Sequence, residues 1–365
     1  MANTATHLYR SIHAQPQAIR DLLADRAMID TLAQQLVPCQ RILLVGTGTS
    51  FHAATIGAHL FRSLGLEAWA IAAFEFVNYP TPLHANDGVL IISHRGNKQY
   101  SMLAAQRAQE VGAVVISISG KDPKEPVTTP WALTTVDQDP SSAHTISYTA
   151  TLTRLGQIIV RLIQLKGFGD LVQQLEQGLA LIPAAMEDAL QREQAIREVA
   201  QDAVAKQRRI YYIGAGPNAT TAKEGALKAK ETAYVTAEGF ELEQAIHGPL
   251  VAVEKNDLVV VIAPAEASAR ERTASLLQAL HEIGSAVWLI GNMPTVEVQP
   301  LFQQDGWHHF PLAHADELPE AINPLLTVLP LQLFADFASS TRGTDADGFR
   351  LNEPAYKQAM AHIHL

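Results

Sequence analysis

The sequence contains a single cysteine, Cys39, in 365 residues. One thiol cannot form an internal disulfide or a multi-cysteine metal site, and it suits a reducing compartment. Long apolar runs are also missing, because no stretch approaches the ~20 uncharged apolar residues of a membrane span. The N-terminal segment lacks the apolar core of a signal peptide. We therefore expect a cytoplasmic protein with no membrane partner. We also expect no metal and no cofactor.

Positive charge is also scarce, since 27 Lys and Arg residues face 37 Asp and Glu residues and the net charge is −10. This balance argues against binding to a nucleic-acid backbone. A protein of this charge that binds an anion must concentrate positive potential locally. The apolar content of 47% and the charged content of 18% are those of an ordinary globular protein. The length favours two domains over one.

Three apolar segments of the first half of the chain recur in the second half in the same order. RILLVGTG pairs with RIYYIGAG, NDGVLIIS with NDLVVVIA, and VGAVVISISG with IGSAVWLIGN; the pairs begin at Arg41 and Arg209, Asn86 and Asn256, and Val111 and Ile283. The separations of 168, 170 and 172 residues are nearly constant. A preserved order with a nearly constant offset indicates an internal duplication.

Each copy alternates short apolar runs with longer helical patterns. The apolar runs are continuous rather than alternating, which is typical of strands covered on both faces. The helical patterns end at Gly112 and Gly284, which predicts C-terminal caps. Repeated β-α-β units predict an α/β fold in which two tandem units each contain a parallel sheet sandwiched between helices. Ligands of such sheets bind beyond the carboxyl ends of the strands.

The segment GTGTSFHAA, residues 46–54, joins a predicted strand to a predicted helix. Gly48, Thr49 and Ser50 would then lie at a helix N-terminus, where amides and hydroxyls form a favourable phosphate seat. The alternative is a tight turn that simply needs glycine. The third glycine of the dinucleotide fingerprint and the Gly-Lys-Ser/Thr of the P-loop are both missing.

Charged side chains repeat at helical spacing in EGALKAKETAY. Glu224, Lys228 and Glu231 are at positions i, i+4 and i+7 and therefore share one face of the predicted helix. A solvated salt-bridge ladder is the usual interpretation of such a pattern. His247 follows on a predicted loop, before Gly-Pro, where a single histidine is usually incidental.

Taken together, Ser50, Ser93, EGALKAKE and HGP over two duplicated α/β units closely resemble the sugar isomerase (SIS) family. The resemblance is greatest to the double-SIS isomerase half of glucosamine-6-phosphate synthase and to stand-alone phosphosugar isomerases, aminosugar deaminases and deglycases. The resemblance implies an N-terminal helical segment at 1–24, SIS domains at 25–170 and 195–340, a helical linker at 171–194, and a tail at 341–365 that closes the active site.

The resemblance also implies roles for individual residues. Gly48, Thr49, Ser50, Ser93 and Thr145 would bind the phosphate of a phosphorylated aminosugar. Glu231 would be the base that moves a proton between C1 and C2, and Lys228 would orient it or contact the substrate. His247 would open the sugar ring, reaching across from the neighbouring subunit of a homodimer with a shared site. The physical logic agrees, because aldose–ketose chemistry needs a carboxylate beside an acidic C–H and an acid or base at the ring oxygen.

The sequence departs from the family pattern at several positions. Ala2 stands where the synthase has the catalytic cysteine of its glutaminase domain, so we expect no glutaminase activity. The usual phosphate loop Ser-Gln-Ser-Gly-Glu-Thr is replaced by the sequence Ser93-His94-Arg95-Gly96-Asn97-Lys98. His94, Arg95 and Lys98 are candidate ligands for the phosphate or for a second anionic group such as a carboxylate. Alternatively, the two cations cap a helix or pair with surface acids. Lys357 is the candidate for the catalytic lysine of the tail.

Two classes of function remain open. The first is an enzyme that isomerises, deaminates or deglycates an aminosugar phosphate or fructosamine phosphate. The second is a non-catalytic phosphosugar-binding regulatory protein. The enzyme is favoured, because a sensor would not need Glu231 together with His247.

Overall fold

The computed structural model describes residues 5–79, 81–123, 126–167, 169–263, 267–293 and 298–363. Its helices are α1 His7–His13, α2 Gln15–Ala24, α3 Ile29–Leu36, α4 Thr49–Ser63, α5 Ala73–Asn78, α6 Gln99–Glu110, α7 Ile146–Leu165, α8 Gly169–Gln191, α9 Glu193–Ala205, α10 Asn218–Ala233, α11 Leu242–Ile246, α12 Ala267–Ile283, α13 Pro324–Arg342 and α14 Pro354–Ala361. Its strands are β1 Arg41–Gly46, β2 Ala68–Ala72, β3 Asp87–Ile92, β4 Val114–Ser119, β5 Trp131–Thr134, β6 Ile210–Gly214, β7 Ala237–Glu241, β8 Leu258–Ile262, β9 Ala286–Ile290 and β10 Trp307–Phe310.

The chain divides into two compact units. The first unit, which contains β1 to β5, comprises Ala14–Pro140, His144–Pro183 and Gln358–Leu365. The second unit, which contains β6 to β10, comprises Met1–His13, Ser141–Ala143 and Ala184–Lys357.

Each unit contains one five-stranded sheet, and every strand pair in both sheets is parallel. The strand order is β2-β1-β3-β4-β5 in the first unit and β7-β6-β8-β9-β10 in the second. These orders are identical when the strands are numbered within each unit. The strands expected at RILLVG and RIYYIG occupy the same position in the two sheets. The predicted α/β class and the duplication are therefore confirmed.

The central strands are buried along their whole length. All six residues of β3 and all five of β8 are buried, as the continuous apolar runs predicted for strands flanked by helices. The predicted caps are also confirmed, since Gly112 follows α6 with φ of 82° and Gly284 follows α12 with φ of 78°.

The turn after the first strand of each unit requires glycine for two separate reasons. A Cβ on Gly46 would lie 2.5 Å from the Ser50 carbonyl oxygen, and a Cβ on Gly214 would lie 2.3 Å from that of Asn218. Gly48 has φ of 58°, in the left-handed region that favours glycine. The turn thus explains the glycines of GTG, and it also places Thr49 at the first position of α4.

An arginine–aspartate pair ties the first and third strands together at their amino ends in both units. Arg41 donates from Nε (3.1 Å) and Nη2 (2.6 Å) to the carboxylate of Asp87. Arg209 donates in the same way to Asp257, at 2.9 and 2.8 Å. Both aspartate side chains are only 3% exposed. The duplication therefore extends to a bidentate ion pair at equivalent positions.

Within the described residues, one helical segment, Glu320–Arg342, is long and apolar enough to cross a membrane. No membrane span was expected from the sequence. The structure buries 94% of its 18-residue apolar window inside the fold, and such burial is usual for the core helix of a globular protein.

Candidate functional site

The first group of candidate residues follows β3 in the first unit. Ser93 is 4% exposed, and its hydroxyl has no hydrogen-bond partner among the described residues. The chain then turns at Gly96, whose φ is 77°, and enters α6 at Gln99. A buried hydroxyl at the carboxyl end of a central parallel strand is well placed to receive a ligand.

Positive charge is concentrated in this loop. Burial, followed by the charge of Arg95, lowers the pKa of His94 to about 4 and also lowers the pKa of Lys98. Arg95 is exposed and Lys98 is half-buried. Lys98 precedes α6 but makes no capping hydrogen bond from its side chain, and no acidic group contributes to its pKa shift. Lys98 therefore does not cap α6 through its side chain, and Arg95 and Lys98 remain candidates for the local positive charge that an acidic protein needs to bind an anion.

His94 is connected through hydrogen bonds to a second loop of the first unit. Its Nε2 lies 3.0 Å from the backbone nitrogen of Asp139, and an Asp139 carboxylate oxygen accepts from the backbone N–H of Thr145 at 3.1 Å. Thr145 is fully buried, and its Oγ1 has no hydrogen-bond partner among the described residues. Two phosphate ligands expected from the sequence, Ser93 and Thr145, thus share the property of a buried, unsatisfied hydroxyl.

The GTGTS segment lies at the same edge of the first sheet. Thr49 and Ser50 are the first two residues of α4, directly after Gly48, and both are partly buried. Because β1 and β3 are adjacent and parallel, the Thr49 and Ser93 loops leave from the same edge. The phosphate ligands expected from the sequence therefore lie on loops at one edge of the first sheet.

The acidic and basic residues of α10 form a buried ionic cluster in the second unit. Lys228 Nζ lies 2.6 Å from a Glu231 carboxylate oxygen and 3.3 Å from one of Glu224. The exposed fractions of the side chains are 0% for Glu224, 1% for Lys228 and 21% for Glu231. Burial by itself would lower the pKa of Lys228, but the two carboxylates outweigh it and raise the pKa. The solvated salt-bridge ladder is therefore wrong for this helix.

His247 lies at the C-terminal end of α11 and is exposed. Its side chain is 73% accessible, and its Nε2 lies 3.3 Å from a Glu243 carboxylate oxygen. Gly248, with φ of 145°, follows it and turns the chain into a short 3-10 helix, Pro249–Ala252. Val251 in that helix is 92% exposed.

The tail is anchored to the end of α10 by an arginine between two aromatic rings. The Arg350 guanidinium carbon lies 4.7 Å from the Tyr234 ring centroid and 4.0 Å from that of Tyr356. Its Nη1 donates to the Tyr356 hydroxyl at 2.7 Å. Lys357 follows on α14 and is exposed. Tyr234 comes three residues after Glu231, so the tail is attached to the helix that carries the ionic cluster.

Sequence reasoning missed Asp139, which connects the loops of the first unit. A single aspartate in the loop sequence DQDPSS carries no periodic or motif signal. Only the fold brings it to both His94 and Thr145.

The chain resembles known proteins over most of its length. The family model of the SIS domain matches it twice, at residues 35–161 and 203–335. The chain belongs to the SIS domain family.

Relatives of the SIS chain include two enzymes named glutamine–fructose-6-phosphate aminotransferase (isomerizing). The enzyme of Aquifex aeolicus is 30% identical over 350 residues, covering 93% of this chain and 56% of its own length. That of Thermococcus kodakarensis is 28% identical over 348 residues, with the same two coverages. The SIS chain thus spans just over half the length of these relatives. The resemblance to the isomerase half of the synthase is confirmed.

Solved structures share the fold at identities below those that indicate function. The C-terminal domain of glucosamine-fructose-6-phosphate aminotransferase from Francisella tularensis superposes with a TM-score of 0.84 at 22% identity, covering 94% of this chain and 98% of that one. Tagatose-6-phosphate ketose/aldose isomerase from Escherichia coli superposes with a TM-score of 0.78 at 21% identity, covering 95% of this chain and 96% of that one. Glucosamine-6-phosphate deaminase from Thermotoga maritima superposes with a TM-score of 0.72 at 17% identity, covering 94% of this chain and 97% of that one.

Proposed function

We propose that this SIS protein is an enzyme that isomerises, deaminates or deglycates an aminosugar phosphate or fructosamine phosphate. The observation that carries the proposal is the buried Glu224–Lys228–Glu231 cluster. Three charged groups inside a helix–sheet unit cost folding free energy, because their desolvation is incompletely offset by their mutual attraction. Strongly perturbed groups of this kind concentrate at functional sites. A non-catalytic sensor would gain nothing from this arrangement.

Within the cluster, exposure distinguishes the two carboxylates. Glu224 is fully buried and its carboxylate is paired with Lys228, whereas the Glu231 side chain is 21% exposed. Glu231 is therefore the carboxylate that takes a proton from the carbon next to the sugar carbonyl and returns it to the neighbouring carbon. Lys228 holds one Glu231 oxygen and remains protonated. Because Lys228 is almost as buried as Glu224, its ammonium would act through Glu231, which it orients towards the substrate.

The phosphate would be bound in the first unit, at the edge of the sheet where β3 ends. Ser93 and Thr145 offer buried hydroxyls that lack partners among the described residues. Arg95 and Lys98 supply positive charge, and Thr49 and Ser50 supply a helix N-terminus. A second anionic group on the substrate, such as the carboxylate of a glycated amino acid, is compatible with these additional cations.

His247 would open the sugar ring in the site of a neighbouring subunit. Its high exposure in the single chain is consistent with this role, because a residue used by a partner must be accessible before the dimer forms. Lys357, on the anchored tail helix, would be the cation that approaches the substrate when the tail closes.

A screen of phosphosugars tests the proposal. The protein is incubated with 6-phosphates of ketoses, aldoses, aminosugars and fructosamines, and the formation of isomers, ammonia and free amino acids is measured. We expect turnover of at least one member, and turnover lower by roughly 10²–10⁴ with the Glu231→Gln variant. Tight phosphosugar binding by both proteins without any product would instead support a regulatory protein.

A further inference from the structure

The imidazole of His94 is partly buried and contacts protein atoms, although its loop is the one expected to bind phosphate. Its Nε2 lies 3.0 Å from the Asp139 backbone nitrogen. A backbone N–H can only donate, so Nε2 must accept and the proton of the neutral ring lies on Nδ1. Nδ1 is buried, without a hydrogen-bond partner among the described residues.

Gly120 leaves the space that the His94 ring fills. A Cβ at Gly120 would lie 2.5 Å from His94 Cε1 and 2.8 Å from Nδ1, so any larger residue would displace the ring. The Gly120 backbone N–H donates to the His94 carbonyl at 2.8 Å. The ring of His144 packs edge-on against that of His94, with 5.2 Å between the two ring centroids. One ring nitrogen is thus engaged, and the Cε1–Nδ1 edge packs against the backbone of Gly120.

The hydrogen bond from Asp139 continues to a predicted phosphate ligand. The Asp139 carboxylate accepts from the backbone N–H of Thr145 at 3.1 Å, at the residue that precedes α7. Thr145 is fully buried, and its Oγ1 lacks a partner among the described residues. The position of this hydroxyl therefore depends on the loop that His94 holds.

We propose that His94 is a positioning residue and not a phosphate ligand, holding the Asp139–Thr145 loop so that the Thr145 hydroxyl meets the substrate anion. The inference rests on the proposed function for the identity of that anion. It requires the neutral ring, because a protonated Nε2 would face the Asp139 N–H donor to donor. Among the described residues, the ionisable groups near the ring are Arg95 on its own loop and His144 on the second loop, while Asp139 contacts the ring through its backbone N–H. Protonation of the ring is disfavoured by its burial and by Arg95.

A double-mutant cycle distinguishes positioning from direct ligation. The cycle consists of His94→Leu, Thr145→Ala and the combination of the two, and His94→Gln is the control. Leu cannot accept a hydrogen bond, whereas the amide oxygen of Gln can accept one from the Asp139 N–H. The probe is inorganic sulfate, whose charge is constant between pH 4 and pH 8, with binding measured by calorimetry. We expect His94→Leu to weaken sulfate binding about 3- to 10-fold, the usual effect of one lost hydrogen bond. His94→Gln should stay close to wild type, and the combined variant should bind no more weakly than Thr145→Ala alone.

Additive losses in the cycle would show that His94 contacts the anion independently, and would overturn the inference. So would wild-type affinity in His94→Leu. Hydrogen exchange of the Thr145 amide gives a readout that needs no ligand: exchange should be faster in His94→Leu and unchanged in His94→Gln. Equal protection in all three proteins would overturn the inference even if phosphosugar turnover were established.

The same measurements separate this inference from the proposed function. If the wild type binds neither sulfate nor any phosphosugar, the proposed function fails, while Thr145 exchange still decides whether His94 holds the loop. If His94→Leu does not fold, acidification of the wild type replaces it. Sulfate affinity of the wild type should then fall as His94 protonates near pH 4. His94→Gln should show no such fall, and equal pH profiles would overturn the inference.

Discussion

At the scale of single residues, Glu231 and Glu224 provide a controlled comparison, because both contact the same lysine. Replacing Glu231 by Gln keeps the shape and removes the basicity, so substrate should still bind while turnover falls by roughly 10²–10⁴. Glu224→Gln perturbs Lys228 similarly but removes the fully buried carboxylate instead of the partly exposed one. We expect it to lower stability and to reduce turnover much less. Steady-state kinetics on the substrate found in the screen provides the measurement. Equal losses for the two variants would contradict the assignment of the base to Glu231.

His94 should also make the stability of the protein depend on pH. Its pKa is lowered from 6.5 to about 4 by burial and by Arg95. Above pH 6.5 the ring is neutral in the folded and the unfolded chain, so its titration does not change the stability there. As the pH falls from 6.5 towards 4, His94 becomes protonated in the unfolded chain but stays neutral in the folded chain. The free energy of unfolding therefore decreases by up to about 3 kcal/mol. Urea unfolding of the wild type and of His94→Gln across this range measures the difference. A constant difference between the two would mean that the ring titrates normally in the fold.

Arg95 and Lys98 are expected to carry part of the affinity for the phosphate. The double change Arg95→Ser and Lys98→Thr restores the hydroxyls of the usual family loop. Binding of a phosphosugar should weaken by about 1–3 kcal/mol, because charge-assisted hydrogen bonds are exchanged for neutral ones. The wild-type affinity should also fall more steeply with salt than that of the variant. Calorimetric titrations at two salt concentrations test both effects, with Ser93→Ala as the neutral comparison. Identical affinities would assign the two cations to the protein surface.

At the scale of elements, the central strands could be predicted from the sequence and the polar connections could not. Continuous apolar runs identified β1, β3 and β4 and their counterparts, because strands buried on both faces leave little room for polar residues. The edge strands β5 and β10 are short and half-exposed, and they left no comparable signal. The helical spacing of Glu224, Lys228 and Glu231 predicted one face, but their burial depends on what packs against α10. Asp139 could not be found at all, since its partners lie 45 and 6 residues away.

The equivalent ion pairs at the amino ends of the strands give a prediction about stability. Asp87→Asn removes the charge that receives both Arg41 bonds and should lower stability by about 1–3 kcal/mol. Asp257→Asn should also lower stability, but by less, because the Arg209 side chain is 42% exposed and that of Arg41 only 21%. Asp137→Asn is the control, since its side chain is 89% exposed and forms only a surface pair with Lys121. Urea unfolding curves give the order of the three. A loss for Asp137→Asn as large as for Asp87→Asn would contradict the argument.

At the scale of the whole molecule, we expect a homodimer in which His247 serves the site of the partner. The segment that carries it also exposes Val251, whose side chain is 92% accessible, next to a histidine that is itself 73% accessible. Replacing Val251 by Asp places a charge in the expected interface, so the protein should shift towards monomer and lose turnover together. Sedimentation velocity at micromolar concentration measures the first effect. A wild-type monomer with full activity would rule out a shared site.

The ion pairs of Arg41 and Arg209 lie at the amino ends of the strands, whereas the predicted phosphate ligands of the first unit leave from the opposite edge of its sheet. The loops at the carboxyl edge can therefore change sequence without touching the pairs that hold the strands together. Substitutions in these loops that alter substrate choice would then have little effect on the stability of the fold. A loop such as Ser93–Lys98 can exchange hydroxyls for cations while the strand framework stays unchanged, so proteins with this fold can differ in the molecules they recognise.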